Sequence, residues 1–570
     1  MATKQAGTVV LGGGISGLAA AFYSRVSQIG ENKLLDPHGQ EKIVILEGSP
    51  RVGGWVDSFQ SPEGAVHERG TRSIRPVGVV GKNTLDLVSA IGLEDAVIPV
   101  TRSHPATQNR FIYTQDGLHR LPSSLTTVLQ RQAPFSQSLL SRLIREPFAV
   151  KCKEEDETIH DFFSRRLGKE VAKYLANPFC RGIFAGDSKE LSMRACFPAI
   201  FNAERKYGSI IIGGLRDKPE KFPDIGRSSI AQKAKEEKWA TWTMTNGLET
   251  LPNRLSDWLI ENGVEVQRSN PCRRIEFIQQ TDARDTQKSV RLMTENGDVW
   301  EADHVVCATS AQVTQRLLPP EHEKLSNLLR QITSYLSDPS DHQQLKKTNQ
   351  AILFCSVSKQ SLRDYFHLNM RNCPTFFVRS PAASDSSHPL DLYLILFCFQ
   401  TVTQRLLPPE HEKLTNLLRQ ITSCTVAVVN LEYDNIQLPV TGFGYLVPSS
   451  VQSRVLGVIF DSCAFPELDR RKDPTTRMTC MMGGAWFNDL FGDPYNVDPS
   501  DLLSSALTTV HDHLGIGQKP TFSKVNIHHD CIPQYRLGHT QLVEDALSYI
   551  KDHHLPLSII GIFLQRSQCQ

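Results

Sequence analysis

TVVLGGGISGLAAAF, residues 8–22, opens as a strand and closes as a helix. Thr8 to Leu11 is a short apolar run, and Gly12, Gly14 and Gly17 then fall in the GxGxxG spacing ahead of an alanine-rich segment. The first glycine permits a tight turn, the second lets backbone approach a pyrophosphate, and the third lets helix and strand pack closely. The phosphates would then face a helix N-terminus. Lys42 to Glu47, KIVILE, reads as a second buried strand, ending in a carboxylate placed to accept hydrogen bonds from a ribose. Glu47 lies thirty residues past Gly17, against a usual ~20, and the excess falls in the polar loop around Glu31 to Lys42. Strand, glycine turn, helix and acidic strand end together read as a dinucleotide site. The alternative is a glycine-rich turn that binds nothing.

FAD is separated from NAD by the next segment, SPRVGGWVDS, where Arg51, Gly53, Gly54 and Trp55 follow the acidic strand end almost at once. Such a turn can bring a cation and bare backbone amides to the same pyrophosphate, which a nicotinamide site does not ordinarily need. A surface turn with an incidental arginine is the alternative reading.

Composition narrows the rest. A chain of 570 residues, 40% hydrophobic and 22% charged, has material for large cores and several domains. Sixty-two basic against sixty-one acidic side chains leave a net charge of +1, so no global field favours nucleic acid. The thirteen cysteines are scattered without a CxxC pair, which argues for reduced thiols and against a structural metal. MATKQAG has no apolar h-region, so neither a secretory signal nor an Arg-rich transit peptide is expected. The most apolar run, Leu390 to Phe399, is much shorter than the ~20 residues a spanning helix requires. In Ser136 to Glu146, Leu139, Leu140, Leu143 and Ile144 alternate with Arg142 and Arg145, a spacing that suits a membrane surface or, as the preferred reading, a face packed on the protein's own core. The cluster His528, His529 and Asp530 reads as a polar strand end, because adjacent side chains on a strand point to opposite faces.

Beyond these general signals the chain resembles one family, the protoporphyrinogen oxidases, flavoenzymes of haem biosynthesis related to amine oxidases and phytoene desaturases. The likeness rests on ERGTRSIRP from Glu68, HPATQNRFIY from His104, CRGIFAG from Cys180, CFPAIF from Cys196, GFGYLVPSS from Gly442 and CIPQYRLGH from Cys531. It implies an FAD held by Gly12, Gly13, Gly14, Ile15, Ser16 and Gly17, by Glu47 and Gly48, by Trp55, by the turn Gly70, Thr71, Arg72 and Ser73, and by backbone at Cys272 near the adenine. The family usually has proline where Thr71 stands. For the substrate, protoporphyrinogen IX, it implies a propionate contact at Arg110, rings sandwiched by Phe443 and Leu446, and a wall shaped by Met481 and Gly182. Read without the family, Phe443, Leu446 and Met481 are ordinary core residues. The implied chemistry is hydride removal from the macrocycle, repeated until six electrons have left, with dioxygen reoxidising the flavin and releasing hydrogen peroxide. The cofactor does the redox work, so no catalytic side chain and no metal is assigned. The likeness further implies a homodimer attached peripherally to the mitochondrial inner membrane.

The fold expected is α/β: a discontinuous Rossmann-like FAD-binding domain, a mixed α/β substrate domain and a helical membrane-associated domain. The FAD-binding parts are 1–92, 207–309 and 520–570, the helical part is 93–206, and the substrate domain is 310–519. Val313 to Ser334 recurs almost letter for letter at Val402 to Ser423, offset by 89 residues, with Ser326 replaced by Thr415. Two copies do not make a solenoid. Family-like sequence runs on if 89 residues are excised, either 313–401 or 335–423, so this block reads as an insert, from a duplicated exon or a true insertion. One copy is expected to dock and the other to be extruded. After Gly561 the chain reads IFLQRSQCQ, where the family continues with a glycine turn and helix at the flavin, so a third flavin-binding segment is expected to be absent. An active oxidase, an inactive or misassembled isoform and an amine-oxidising relative therefore stand side by side at this stage.

Overall fold

The computed structural model describes residues 3–31, 41–216, 225–282, 285–310, 313, 412–470 and 474–561. All of these except Glu412 belong to the unit formed by Met1–Leu318 with Lys413–Gln570.

A parallel sheet runs through the centre in the order Leu557–Ile559, Val299–Cys307, Lys4–Leu11, Ile43–Leu46 and Glu265–Gln267. Two antiparallel strands, Cys272–Asp282 and Asp285–Thr294, extend it from the N-terminal half of Val299–Cys307. Every residue of Ile43–Leu46 is buried, as a continuous apolar run must be when helices cover both faces of a sheet. Successive side chains divide between the faces. Val10, Ile43 and Ile45 meet the helices Ile15–Glu31 and Thr250–Glu261 through Leu18, Phe22, Leu251 and Leu255. Val9, Leu11, Val44 and Leu46 point the other way, toward the helix His539–Asp552 with Val543, Ala546 and Tyr549.

On that second face the later copy of the repeated segment contributes the helix Glu412–Arg419, with Leu417, Leu418 and Ile421 buried in the same core as Trp300 and Tyr549. The earlier copy, apart from Val313, lies outside the described residues, as does 562–570.

A second sheet has the order Phe522–Pro533, Ser423–Asp434, Thr475–Gly484, Val455–Ile459, Gly444–Leu446, Phe111–Thr114 and Gly117–Arg120. Its pairs are antiparallel except Gly444–Leu446 with Phe111–Thr114. Both edges come from intervals the sequence reading gave to other domains. Phe111–Arg120 falls within 93–206 and Phe522–Pro533 within 520–570, and backbone pairing with strands more than 300 residues away draws the first of these in. One face, with Val429, Leu431, Tyr445, Cys480 and Met482, is sealed by Leu502, Ala506 and Val510 of the helix Pro499–Leu514.

The remainder of 93–206 is mostly short helices around Phe162, Cys180, Met193 and Phe201. Glu146 and Arg166 pair there at zero side-chain exposure, with Arg166 Nε donating at 2.8 Å. In the helix Leu139–Arg145 the three leucines are half-buried and Ile144 is 61% exposed, so its apolar face is only partly packed on the protein. Just beyond it Phe148 is 87% exposed, and Leu215, on the neighbouring helix Ile210–Arg216, is 84% exposed. Among the described residues no helix is long and apolar enough to cross a membrane.

Candidate active site

The strands Lys4–Leu11 and Ile43–Leu46 end side by side, Leu11 opposite Leu46. The chain leaves the first with Gly12 at φ +98°, a left-handed conformation that favours glycine. A Cβ on Gly17 would stand 2.0 Å from the Gly12 carbonyl oxygen, so the helix can close on the turn only without one. Glu47 accepts the Gly13 amide on one carboxylate oxygen at 2.6 Å and the Ser49 amide on the other at 2.7 Å. Each oxygen keeps a lone pair for a further donor. The amides of Ile15, Ser16 and Gly17 open the helix Ile15–Glu31, where a first turn has no intrahelical acceptor.

The second turn docks on the first. Gly53 donates its amide to Gly13 at 2.8 Å and pairs with Gly14 as an isolated bridge. Arg51, expected to reach the pyrophosphate, turns instead onto its own loop, donating to the Val52 and Val56 carbonyls at 3.1 and 3.2 Å and pairing with Asp57 at 3.1 Å. Those acceptors lie within a few residues, and a short loop satisfies its carbonyls locally. Gly48 abuts Pro271, where a Cβ would meet the proline ring at 3.1 Å, and this sets Cys272 beside the cradle. Trp55 remains 45% exposed and meets His528 edge-on at 5.4 Å. Gly70 lies against it, since a Cβ there would stand 2.0 Å from the Trp55 carbonyl oxygen.

Thr71, Arg72 and Ser73 follow, and Arg72 carries the most telling contact. Its Nε pairs with Asp461 at 3.3 Å, while its Nη2 is buried with no hydrogen-bond partner among the described residues. A buried guanidinium nitrogen left unpaired calls for an acceptor that the described residues do not supply. Asp461 in turn accepts the Thr479 hydroxyl at 2.6 Å, and Asn430 bridges Thr479 and the Glu68 carbonyl at 3.1 Å each. Glu68 is buried, with the Leu248 amide at 2.8 Å and the Ser58 hydroxyl at 2.7 Å. Burial pushes its carboxyl up to about 7, against the pull of those two donors and of Arg72. Glu68, Asp461 and His528 were not assigned a role from sequence. Glu68 was signalled only as the first letter of ERGTR and His528 only as part of a polar cluster, while Asp461 carried no signal.

Thr479 stands on the open face of the second sheet, and two residues along the same strand stands Met481. Leu446, Gly457 and Met481 are cross-strand partners and so project to one face in a row. Gly457 is buried between the other two, and the Leu446 side chain leans over it, since a Cβ there would meet Leu446 Cδ2 at 2.9 Å. Gly182 presses on the row from the helix Asn177–Phe184, where a Cβ would meet Leu446 Cδ2 at 2.6 Å. Phe443 donates its amide to Asn109 at 3.2 Å, beside Arg110, and packs on the cluster of Val66, Ile98 and Phe465. Gly182, Leu446 and Met481 are thus brought together, Phe443 packs on a separate cluster with its backbone bonded to Asn109 beside Arg110, and all four apolar positions remain partly accessible.

The glycine cradle, the open helix amides, the spare lone pairs of Glu47 and the unpaired nitrogen of Arg72 fit a flavin dinucleotide. Two glycine turns under one acidic strand end, beside an apolar sheet face, define a flavin-dependent oxidoreductase of the amine-oxidase class. Residues 15–337 match the family of flavin containing amine oxidoreductases. Within that class the chain belongs to the protoporphyrinogen oxidases: it is 35% identical over 556 residues to the enzyme of Macaca fascicularis and to that of Homo sapiens, spanning 97% of this chain and 93% of each relative. In fold it resembles a solved protein of Exiguobacterium sp. 255-15, with a TM-score of 0.63 and 19% identity across 99% of this chain and 94% of that one. A reduced UDP-galactopyranose mutase follows at a TM-score of 0.57 and 11% identity, across 98% and 90% of the two chains. FAD is the cofactor.

Proposed function

We propose that the chain oxidises protoporphyrinogen IX to protoporphyrin IX in haem biosynthesis, with FAD as cofactor and dioxygen as electron acceptor. The observation that carries this reading is the apolar row Leu446, Gly457 and Met481, set on the same sheet face as the Thr479–Asp461–Arg72 contacts, one alternation or roughly 7 Å along the strand. An apolar macrocycle can lie against such a row within reach of the cradle.

Bound FAD supplies hydride acceptance and passes the electrons to dioxygen. The protein's part is to bind, orient and keep water out. The helix amides of Ile15, Ser16 and Gly17 face the pyrophosphate, Glu47 takes the ribose, and Gly48, Trp55, Gly70, Thr71, Ser73 and backbone at Cys272 close around the nucleotide. Arg72 offers its free nitrogen to a cofactor oxygen. Phe443 and Leu446 hold the rings, Met481 and Gly182 shape the wall, and Arg110 pairs with a propionate, a contact that a planar guanidinium makes in bidentate fashion.

The purified chain should carry visible flavin absorbance and produce porphyrin fluorescence from added protoporphyrinogen faster than air alone. A yellow protein that produced none would defeat the reading. Peripheral membrane attachment, on the mitochondrial inner membrane and as a homodimer, belongs to the same proposal. The exposed Ile144, Phe148, Val150 and Leu215 support it, because packed neighbouring elements rarely leave such side chains to water. Phe148→Asp with Val150→Asp should abolish co-sedimentation with lipid vesicles, and unchanged co-sedimentation would refute that surface.

A further inference from the structure

Beside Arg110 lies a cavity of about 480 Å³ whose lining includes three more arginines, Arg75, Arg102 and Arg120, and no carboxylate. They arrive from separate places. Arg75 follows the Gly70–Ser73 turn, Arg102 follows the strand Val97–Thr101, and Arg120 closes the hairpin opposite Phe111, next to Arg110. Several arginines elsewhere are matched, as Arg69 is with Asp57 and Arg477 with Asp469, whereas here four gather with no carboxylate in the lining. Among the described residues none of these four has an ion-pair partner.

In a chain of net charge +1, four unmatched cations around one concavity concentrate positive potential there, and a cleft of one sign raises the local concentration of oppositely charged ligands. The Arg110 guanidinium is held below the ordinary arginine range by partial loss of solvent and then by the like charge of Arg75, so the cations feel one another. A dicarboxylate offsets two of the four. The geometry points to a polycarboxylate-receiving mouth, in which Arg75, Arg102 and Arg120 extend the Arg110 contact and rank tetrapyrroles by the number of their carboxylates. This rests on the proposed substrate only for the macrocycle; the charge count stands on its own.

The test uses the FAD-loaded full chain and stable oxidised porphyrins, so that binding is read without turnover. Mesoporphyrin IX dimethyl ester, mesoporphyrin IX and coproporphyrin III carry no, two and four carboxylates. Fluorescence titration at low salt should give affinities rising in that order, by roughly three- to tenfold per step for exposed charges. The steps should shrink as salt shortens the Debye length. Arg102→Gln with Arg120→Gln should erase the advantage of coproporphyrin over mesoporphyrin while the thermal midpoint stays put. Equal affinities for all three, or an advantage that survives the double substitution, would overturn the inference. So would displacement by inorganic phosphate at the concentration at which coproporphyrin binds, which would mark a general anion site. Failure to oxidise protoporphyrinogen would strike the proposed function and leave this binding order intact.

Discussion

Glu68→Gln isolates one buried charge, and its effect can be worked from the structure. Glu68 is 6% exposed, its two oxygens accept from the Leu248 amide and the Ser58 hydroxyl, and burial raises its carboxyl from the ordinary 4.5 to about 7. At 1.36 kcal/mol per pH unit this interval is worth about 3 kcal/mol. The sign follows from proton binding. Below pH 4.5 both folded and unfolded chains hold the proton, between 4.5 and about 7 only the folded chain does, and above that neither does. Stability from this group is therefore fully present in acid and lost as the pH rises toward about 7. Glutamine keeps an acceptor for Leu248 and cannot ionise, so the variant should lack that fall. Urea unfolding of the FAD-loaded protein, followed by tryptophan fluorescence from pH 5 to pH 8, reads the difference between the two chains. The gap should move in the variant's favour by about 2 to 3 kcal/mol across that range. Parallel profiles would refute the reasoning, and so would a gap that moved toward the wild type.

Gly17→Ala places a Cβ 2.0 Å from the Gly12 carbonyl oxygen and should strip the purified protein of its visible flavin absorbance; a fully yellow variant would count against the cradle. Glu146→Gln removes the nearer of two buried carboxylates facing Arg166, Glu204 remaining at 3.5 Å, and should cost about 1–3 kcal/mol in denaturant unfolding, where no loss at all would show the pair to be solvated. Leu418→Ala opens a void beside Trp300 and Tyr549 and should cost about 2–5 kcal/mol. A loss below about 0.5 would mean that the matching leucine of the earlier copy, Leu329, takes the seat instead.

Much of the site was legible because its signals are local. Gly12, Gly14 and Gly17 answer steric demands set within a few residues, and KIVILE announces a buried parallel strand by having no polar alternation. Arg51 was misplaced because a turn's composition does not say whether an arginine serves a ligand or its own loop carbonyls. For a related reason the partial cover of the helix Leu139–Arg145 was not legible: amphipathic spacing says which side is apolar, but not how completely it is covered. The domain intervals missed Phe111–Arg120 and Phe522–Pro533 as edges of one sheet, since strand pairing between segments far apart in the chain leaves no periodic trace in either partner.

From sequence alone came the flavin cradle, its acidic strand end and the family, since backbone sterics and short spacings act where the residues stand. Tertiary structure alone decided that the later copy's leucines sit in the core, because two nearly identical segments carry the same information in sequence. It also decided that Arg72 meets Asp461 and that four arginines share one mouth. Those meetings depend on which strands pair, and a side chain's charge acts on whatever the fold brings within a few ångströms of it.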